Sequence, residues 1–252
     1  MQAQRYDALD ALRGLAMVWM TVFHFCYDLN HFGYIHQAFL TDPVWAWQRT
    51  AIVSLFLLCA GQGQAVALVQ GQRWPRFWRR WAQVAGCALL VSAGSYAMFP
   101  QTFIYFGVLH GMAVMLVVAR LTGPWLLRRP LRAVLFGALL VGLGVAAPHL
   151  ASATPGSALL EGRWLNWLGW ITHKPRTEDY VPLLPWLGVM LGGLALGQWA
   201  LRQAWARARL PSAVQPLAML GRHSLSYYML HQPVLIGAIM ALRWSQGIPL
   251  GS

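Results

Sequence analysis

Acidic residues are scarce in this sequence: 7 Asp and Glu stand against 19 Lys and Arg, and charge of either sign occupies only 10% of 252 positions. With 58% of residues hydrophobic, too few polar side chains remain to coat a soluble globule, which excludes an ordinary water-soluble domain. The net charge of +12 sits at the ends of apolar runs rather than on a separate polar domain, so no nucleic-acid partner is expected. Cysteine is scarce too. Cys26, Cys59 and Cys87 lie inside apolar runs without CxxC or Cys/His spacing, which predicts buried free thiols, no disulfide framework and no metal. No small-residue cleavage site follows the first apolar run, where His24, Asp28 and His31 stand instead, so that run is expected to stay in the mature chain.

What is abundant is length without charge: 14–27, 50–72, 81–119, 133–160, 180–201 and 223–242. A helix needs about 20 apolar residues to cross a bilayer. The run at 81–119 holds 39 residues and is interrupted by Pro100-Gln101-Thr102, so it predicts two spans and a turn. The expectation is an all-α polytopic membrane helix bundle of about seven transmembrane helices, at 9–31, 45–70, 82–99, 103–121, 132–149, 183–201 and 223–243, in a single domain over 1–252. Fourteen basic residues fall on one side of these spans (Arg5, Arg13, Arg73, Arg76, Arg79, Arg80, Arg120, Arg128, Arg129, Arg132, Arg202, Arg207, Arg209 and Arg222) and five elsewhere. The positive-inside rule then makes the N-terminus cytoplasmic and the C-terminus external, which in a bacterium means the inner membrane and the periplasm. The longest segment between spans, 150–182, becomes an outer-face cap carrying Glu161, Trp164, Trp167, Trp170, Glu178 and Asp179. Gly188-x-x-x-Gly192 and Gly193-x-x-x-Gly197 read as close-packing spacings between helices. Gly61-Gln62-Gly63 lies within a span with no preceding strand, which excludes a dinucleotide loop.

The first helix carries the chemistry. At about 100° per residue, Asp10, Arg13, Met17, Met20, His24, Asp28 and His31 form one stripe. Such a stripe must face the bundle interior or a watery cavity, since a charge near the bilayer centre costs at least about 2.5–3.5 kcal/mol. Asp28, one turn beyond His24, is placed to hydrogen-bond the imidazole and fix its tautomer. His110 and His231 lie at the depth of His24, each roughly 13–17 Å from a cytoplasmic arginine, so the three are able to meet near the midplane. His223, Tyr227 and His231 recur at i, i+4, i+8 as a second polar stripe; His110, alone on an apolar helix, reads as a satisfied core histidine. Arg49 is the expected partner of Asp28 on the outer side. Asp179-Tyr180-Val181-Pro182-Leu183-Leu184-Pro185-Trp186 suits either a sugar site, where aromatic faces stack on pyranose rings and a carboxylate accepts hydroxyl hydrogens, or an interfacial aromatic belt. The arginines of 73–80 suit nucleotide phosphates or, more simply, topology charge.

Leu9-Asp10-Ala11-Leu12-Arg13-Gly14-Leu15-Ala16, with ten residues between Arg13 and His24, resembles the Arg-x10-His signature of membrane acyltransferases. Together with Phe106-Gly107-Val108-Leu109-His110, the Asp179–Gly188 segment, Gly221-Arg222-His223-Ser224-Leu225 and His231-Gln232-Pro233, the chain resembles the DUF1624 family, related to the catalytic domain of heparan-alpha-glucosaminide N-acetyltransferase. The resemblance spans nearly the whole chain. It implies transfer of an acyl group, acetyl by default, from cytoplasmic acyl-CoA to a sugar or glycan hydroxyl or amine on the outer side. In that scheme Asp10, Arg13 and Arg222 bind the donor. His24 is the general base that deprotonates the acceptor, held by Asp28, and His231 is a further catalytic residue, with His110 and Tyr227 as additional candidates and His31 or His36 as fallback bases. Arg49, Asp179, Tyr180 and Trp186 meet the acceptor. Apart from the resemblance, the residues leave open a proton-coupled transporter using His24 and Asp28, a haem-binding electron-transfer protein, and a structural membrane subunit.

Overall fold

The computed structural model describes residues 6–39, 41–203 and 210–248; Arg5, Arg207 and Arg209 of the arginine count lie outside them. The helices are α1 (Asp7–His31), α2 (Pro43–Val69), α3 (Trp74–Met98), α4 (Val108–Leu127), α5 (Pro130–Ala153), α6 (Ser157–Glu161), α7 (Leu183–Ala200), α8 (Gln215–Arg222) and α9 (Ser224–Ser245). Pairing of extended chain among the described residues is confined to one isolated parallel bridge, Phe106 with Tyr180. Among the described residues six helices, α1, α2, α4, α5, α7 and α9, are long and apolar enough to cross a membrane, and the protein is a polytopic helical membrane bundle. The remaining expected span falls on α3, which at 25 residues is long enough but not apolar enough to join them, so six helices rather than about seven qualify among the described residues. It begins at Trp74 rather than 82 because Pro75 fits a first helical turn, where a missing N–H is no loss. Arg76, Arg79 and Arg80 are therefore part of the helix.

Packing groups the described residues into two compact units, 57–203 and 6–56 with 210–248, where the sequence reading has one domain over 1–252. The division falls between Phe56 and Leu57, inside α2. A continuous apolar helix offers none of the polar linker composition that marks a boundary in sequence.

Within 57–203, α5 and α4 pack on α7, and α3 on α4. A Cβ on Gly188 would strike the Gly137 carbonyl of α5, and one on Gly193 the Leu58 backbone of α2. Gly197 lies as closely against Gln62, whereas Gly192 faces open space. Close packing thus uses three of the four expected glycines. The connection before α4 pairs with the segment leading into α7: Glu178 N–H donates to Thr102 O at 2.9 Å and Val181 N–H to Phe106 O at 3.2 Å. This pairing holds 102–106 extended, so α4 starts at Val108 and not at 103.

Within 6–56 and 210–248, α1 packs on α8 and α9. A Cβ on Gly14 would collide with the Leu217 carbonyl, and one on Gly221 with the Asp10 carbonyl. Two glycines next to arginines, Arg13-Gly14 and Gly221-Arg222, thereby bring α1 and α8 into backbone contact. The core of this unit is Ala16, Met17, Met20, Phe23, Phe39, Ile52 and Phe56, with Trp45 stacked on Phe39 at 4.0 Å between centroids. The eight-residue α8, too short to be a span, is absent from the sequence reading.

Candidate active site

α1 and α9 place two histidines together: the His24 and His231 rings lie 5.2 Å apart. His231 is 8% exposed, and its Nδ1 lies 2.6 Å from the Tyr228 carbonyl. A carbonyl only accepts, so Nδ1 carries the hydrogen and Nε2 carries the lone pair. That Nε2 is buried and has no hydrogen-bond partner. Pro233, two residues on, has no N–H to offer the Met229 carbonyl, which interrupts the helical ladder beside this pair. Tyr227 stacks on His231 at 6.2 Å and 9°, while its hydroxyl meets Thr21 Oγ1 on α1 at 2.7 Å. The expected stripes on the two helices therefore face each other.

Asp28 does not hold His24. Its Oδ1 accepts a hydrogen bond from Gln232 Nε2 at 2.8 Å, and both its Oδ2 and His24 Nδ1 are buried without partners. The His24 ring packs instead against His231 on α9. Nor does an ion pair join Asp28 to Arg49 among the described residues; the amide of Gln232 takes that place. Gln232 Oε1 is a fourth buried atom without a partner. His31 and His36, the fallback bases, are exposed.

At the start of α1, Arg13 pairs with Asp10 at 3.0 Å, and Arg222 with Asp7 at 2.8 Å and Asp10 at 3.7 Å. The three expected donor-side residues are assembled, joined by Asp7, which the sequence reading passes over. Two carboxylates here balance two guanidiniums.

The other expected residues belong to 57–203. His110 is satisfied, as expected of a core histidine. Its Nδ1 accepts the Gly107 N–H at 3.3 Å, so Nε2 carries the hydrogen and donates to Ser92 Oγ at 3.0 Å, which in turn donates to Ile104 O at 2.6 Å. Asp179 accepts the Val108 N–H at 2.7 Å and so caps α4, whose own N-cap position is Gly107. The Tyr180 hydroxyl donates to Asn166 O at 2.5 Å, and Asn166 Nδ2 donates to the Tyr105 hydroxyl at 2.7 Å. Burial pushes both phenols above their usual range, so they serve as neutral hydrogen-bonding groups. Trp186 is half-buried on α7. Among the described residues, no cluster of three His, Cys, Asp or Glu is placed to hold a metal ion.

The model of the family described as heparan-alpha-glucosaminide N-acetyltransferase, catalytic, matches residues 5–233. The chain belongs to this family. Membership makes it a membrane acetyltransferase in kind, and the match runs one residue past Gln232, so it takes in every residue of the α1/α9 cluster. No curated protein and no solved structure matches the chain. Two members of the cluster escape sequence reasoning: Gln232 and the Tyr228 carbonyl. Gln232 is adjacent to His231 in the motif that carries the family resemblance, which is the signal that could have found it. A backbone carbonyl leaves no trace in sequence.

Proposed function

We propose that this N-acetyltransferase relative is an acyl-CoA-dependent enzyme of the bacterial inner membrane, moving an acetyl group from a cytoplasmic donor to a sugar hydroxyl or amine at the periplasmic side. One observation carries the reading. Four buried polar atoms, His24 Nδ1, His231 Nε2, Asp28 Oδ2 and Gln232 Oε1, lack partners on α1 and α9 of one unit. Each unmet buried group costs about 1–3 kcal/mol, a cost that ordered substrate groups would offset. His231 Nε2 serves as base: it takes the proton of the acceptor O–H or N–H as that atom bonds to the thioester carbonyl carbon. The C–S bond breaks, and the sulfur leaves as thiolate to be protonated. His24 stands beside it to share the positive charge or, in a two-step route, to carry the acetyl group. Asp28, set by Gln232, balances that charge.

Arg13 and Arg222 meet the donor's phosphates, with Asp10 holding both guanidiniums in position. Arg49 is the acceptor-side group of this unit. Trp186 is the sugar-stacking candidate of 57–203, where Asp179 and Tyr180 act through the loops they hold. A proton relay for transport is less well supported, since His24 and Asp28 are not hydrogen-bonded to each other. The test is transfer of labelled acetyl from acetyl-CoA to pooled sugars and envelope glycans by membranes containing the wild-type protein or His24→Ala at equal abundance. Label that disappears with the substitution supports the reading; label independent of His24, or none with any acyl-CoA, refutes it.

A further inference from the structure

Between residues 57 and 160 there are eight arginines and no Asp or Glu. None of the eight is in an ion pair among the described residues, whereas Arg13 and Arg222 of the other unit are neutralised by carboxylates. Arg120 is the one that the fold buries, at 6% exposed. Its guanidinium carbon lies 5.1 Å from the Trp74 ring and 5.5 Å from the Phe77 ring, and Nη2 donates to the Gln72 carbonyl. Its Nη1 is buried with no partner. Gln72, Trp74 and Phe77 are the opening of α3, whose first turn has no side-chain cap and so presents unmet N–H groups at the positive end of the helix. Arg73 and Arg76 flank that turn and are exposed. An unmet buried guanidinium N–H, an uncapped helix start and two exposed cations thus mark the opening of α3, and none of the three arginines is in an ion pair among the described residues.

We propose that Arg73, Arg76 and Arg120, at the start of α3, bind the head-group phosphate of an anionic phospholipid. The surroundings favour a lipid. Trp74 and Trp78 are 44% and 45% exposed beside the arginines, and Leu89 and Leu90, further along the same helix, are 69% and 64% exposed. Arginine and tryptophan interleaved over 73–81, followed by bare leucine at 89 and 90, is the order of a helix passing from head groups into hydrocarbon. Trp74, half out of the protein, has room to swing from the guanidinium and admit a phosphate oxygen to Nη1.

The test uses the whole protein in bilayer discs of phosphatidylcholine containing a titrated fraction of fluorescent phosphatidylglycerol, with lipid retention read by energy transfer from tryptophan. Arg120→Gln and Arg76→Gln should each weaken phosphatidylglycerol retention about fivefold, the share of one arginine at a membrane surface. Arg129→Gln, in the same unit but outside the site, should leave it unchanged. Arg76 is exposed, so its variant decides the matter if Arg120→Gln fails to fold. Inorganic phosphate and coenzyme A should not displace the lipid. Wild-type retention in Arg76→Gln would overturn the proposal, as would equal loss in Arg129→Gln, which means diffuse charge. Displacement by phosphate or coenzyme A would also overturn it, in favour of a soluble ligand.

Discussion

His231 in one unit and His110 in the other are both histidines on apolar helices, yet their surroundings differ. His110 has both ring nitrogens engaged, one by the Gly107 N–H and the other by Ser92. His231 has one nitrogen engaged by a carbonyl and the other buried with nothing to bind. A histidine whose neighbours complete its hydrogen bonds is a packing element; one left with an unmet lone pair in an apolar setting is available for proton transfer. The carboxylates divide in the same way: Asp179 caps a helix, while Asp28 keeps one oxygen unmet.

The sharpest way to break this contrast is to remove each ring. His231→Ala should lower acetyl transfer about 10²–10⁴-fold, the usual contribution of a positioned base, with the protein still folded. His110→Ala should change the rate per folded molecule by less than about threefold while lowering stability by about 1–3 kcal/mol, because Ser92 and the Gly107 N–H lose their partner. Rates and thermal unfolding on the same preparations check both. Next, Gln232→Leu strips Asp28 of its hydrogen bond and should cost about 10–100-fold in kcat, the scale of losing an outer partner of a reacting group, with the donor KM little changed. An unaltered kcat would place Asp28 outside the chemistry.

Two smaller effects concern helix contact and helix capping. Gly14→Ala and Gly221→Ala should each destabilise by about 1–3 kcal/mol through overpacking and raise the donor KM as Arg13 and Arg222 shift; the KM measurement separates this from general unfolding. Asp179→Ala should cost about 1 kcal/mol, as for loss of a helix cap, and leave kcat alone. A rise in acceptor KM without loss of stability would instead make Asp179 a substrate contact.

The sequence displays the membrane class and the stripe on α1 because burial of charge in an apolar run is visible as periodicity. Arg13, His24 and Asp28 needed no structure to be singled out. What escaped depended on direction and contact. His24 and Asp28 are one turn apart, a spacing that predicts a bond the side chains do not make; each meets a residue of α9 instead. Gln232 is a neutral residue whose worth appears once Asp28 is seen beside it. The start of α3 at Trp74 escaped because its arginines look like a loop until Pro75 is read as a first-turn residue. The pairing of 102–106 with 177–181 joins segments too far apart in the chain for local pattern to reveal.

The most direct test of the α1/α9 site is a double-mutant cycle on initial rates of acetyl transfer with His24→Ala, His231→Ala and the two combined, each normalised to folded protein. If the two rings form one catalytic unit, the double variant will be about as slow as the slower single variant, since removing one already disables the other. Losses that multiply, or a single variant that keeps the wild-type rate, would show that the two histidines do not work together and that the chemistry lies elsewhere in the chain.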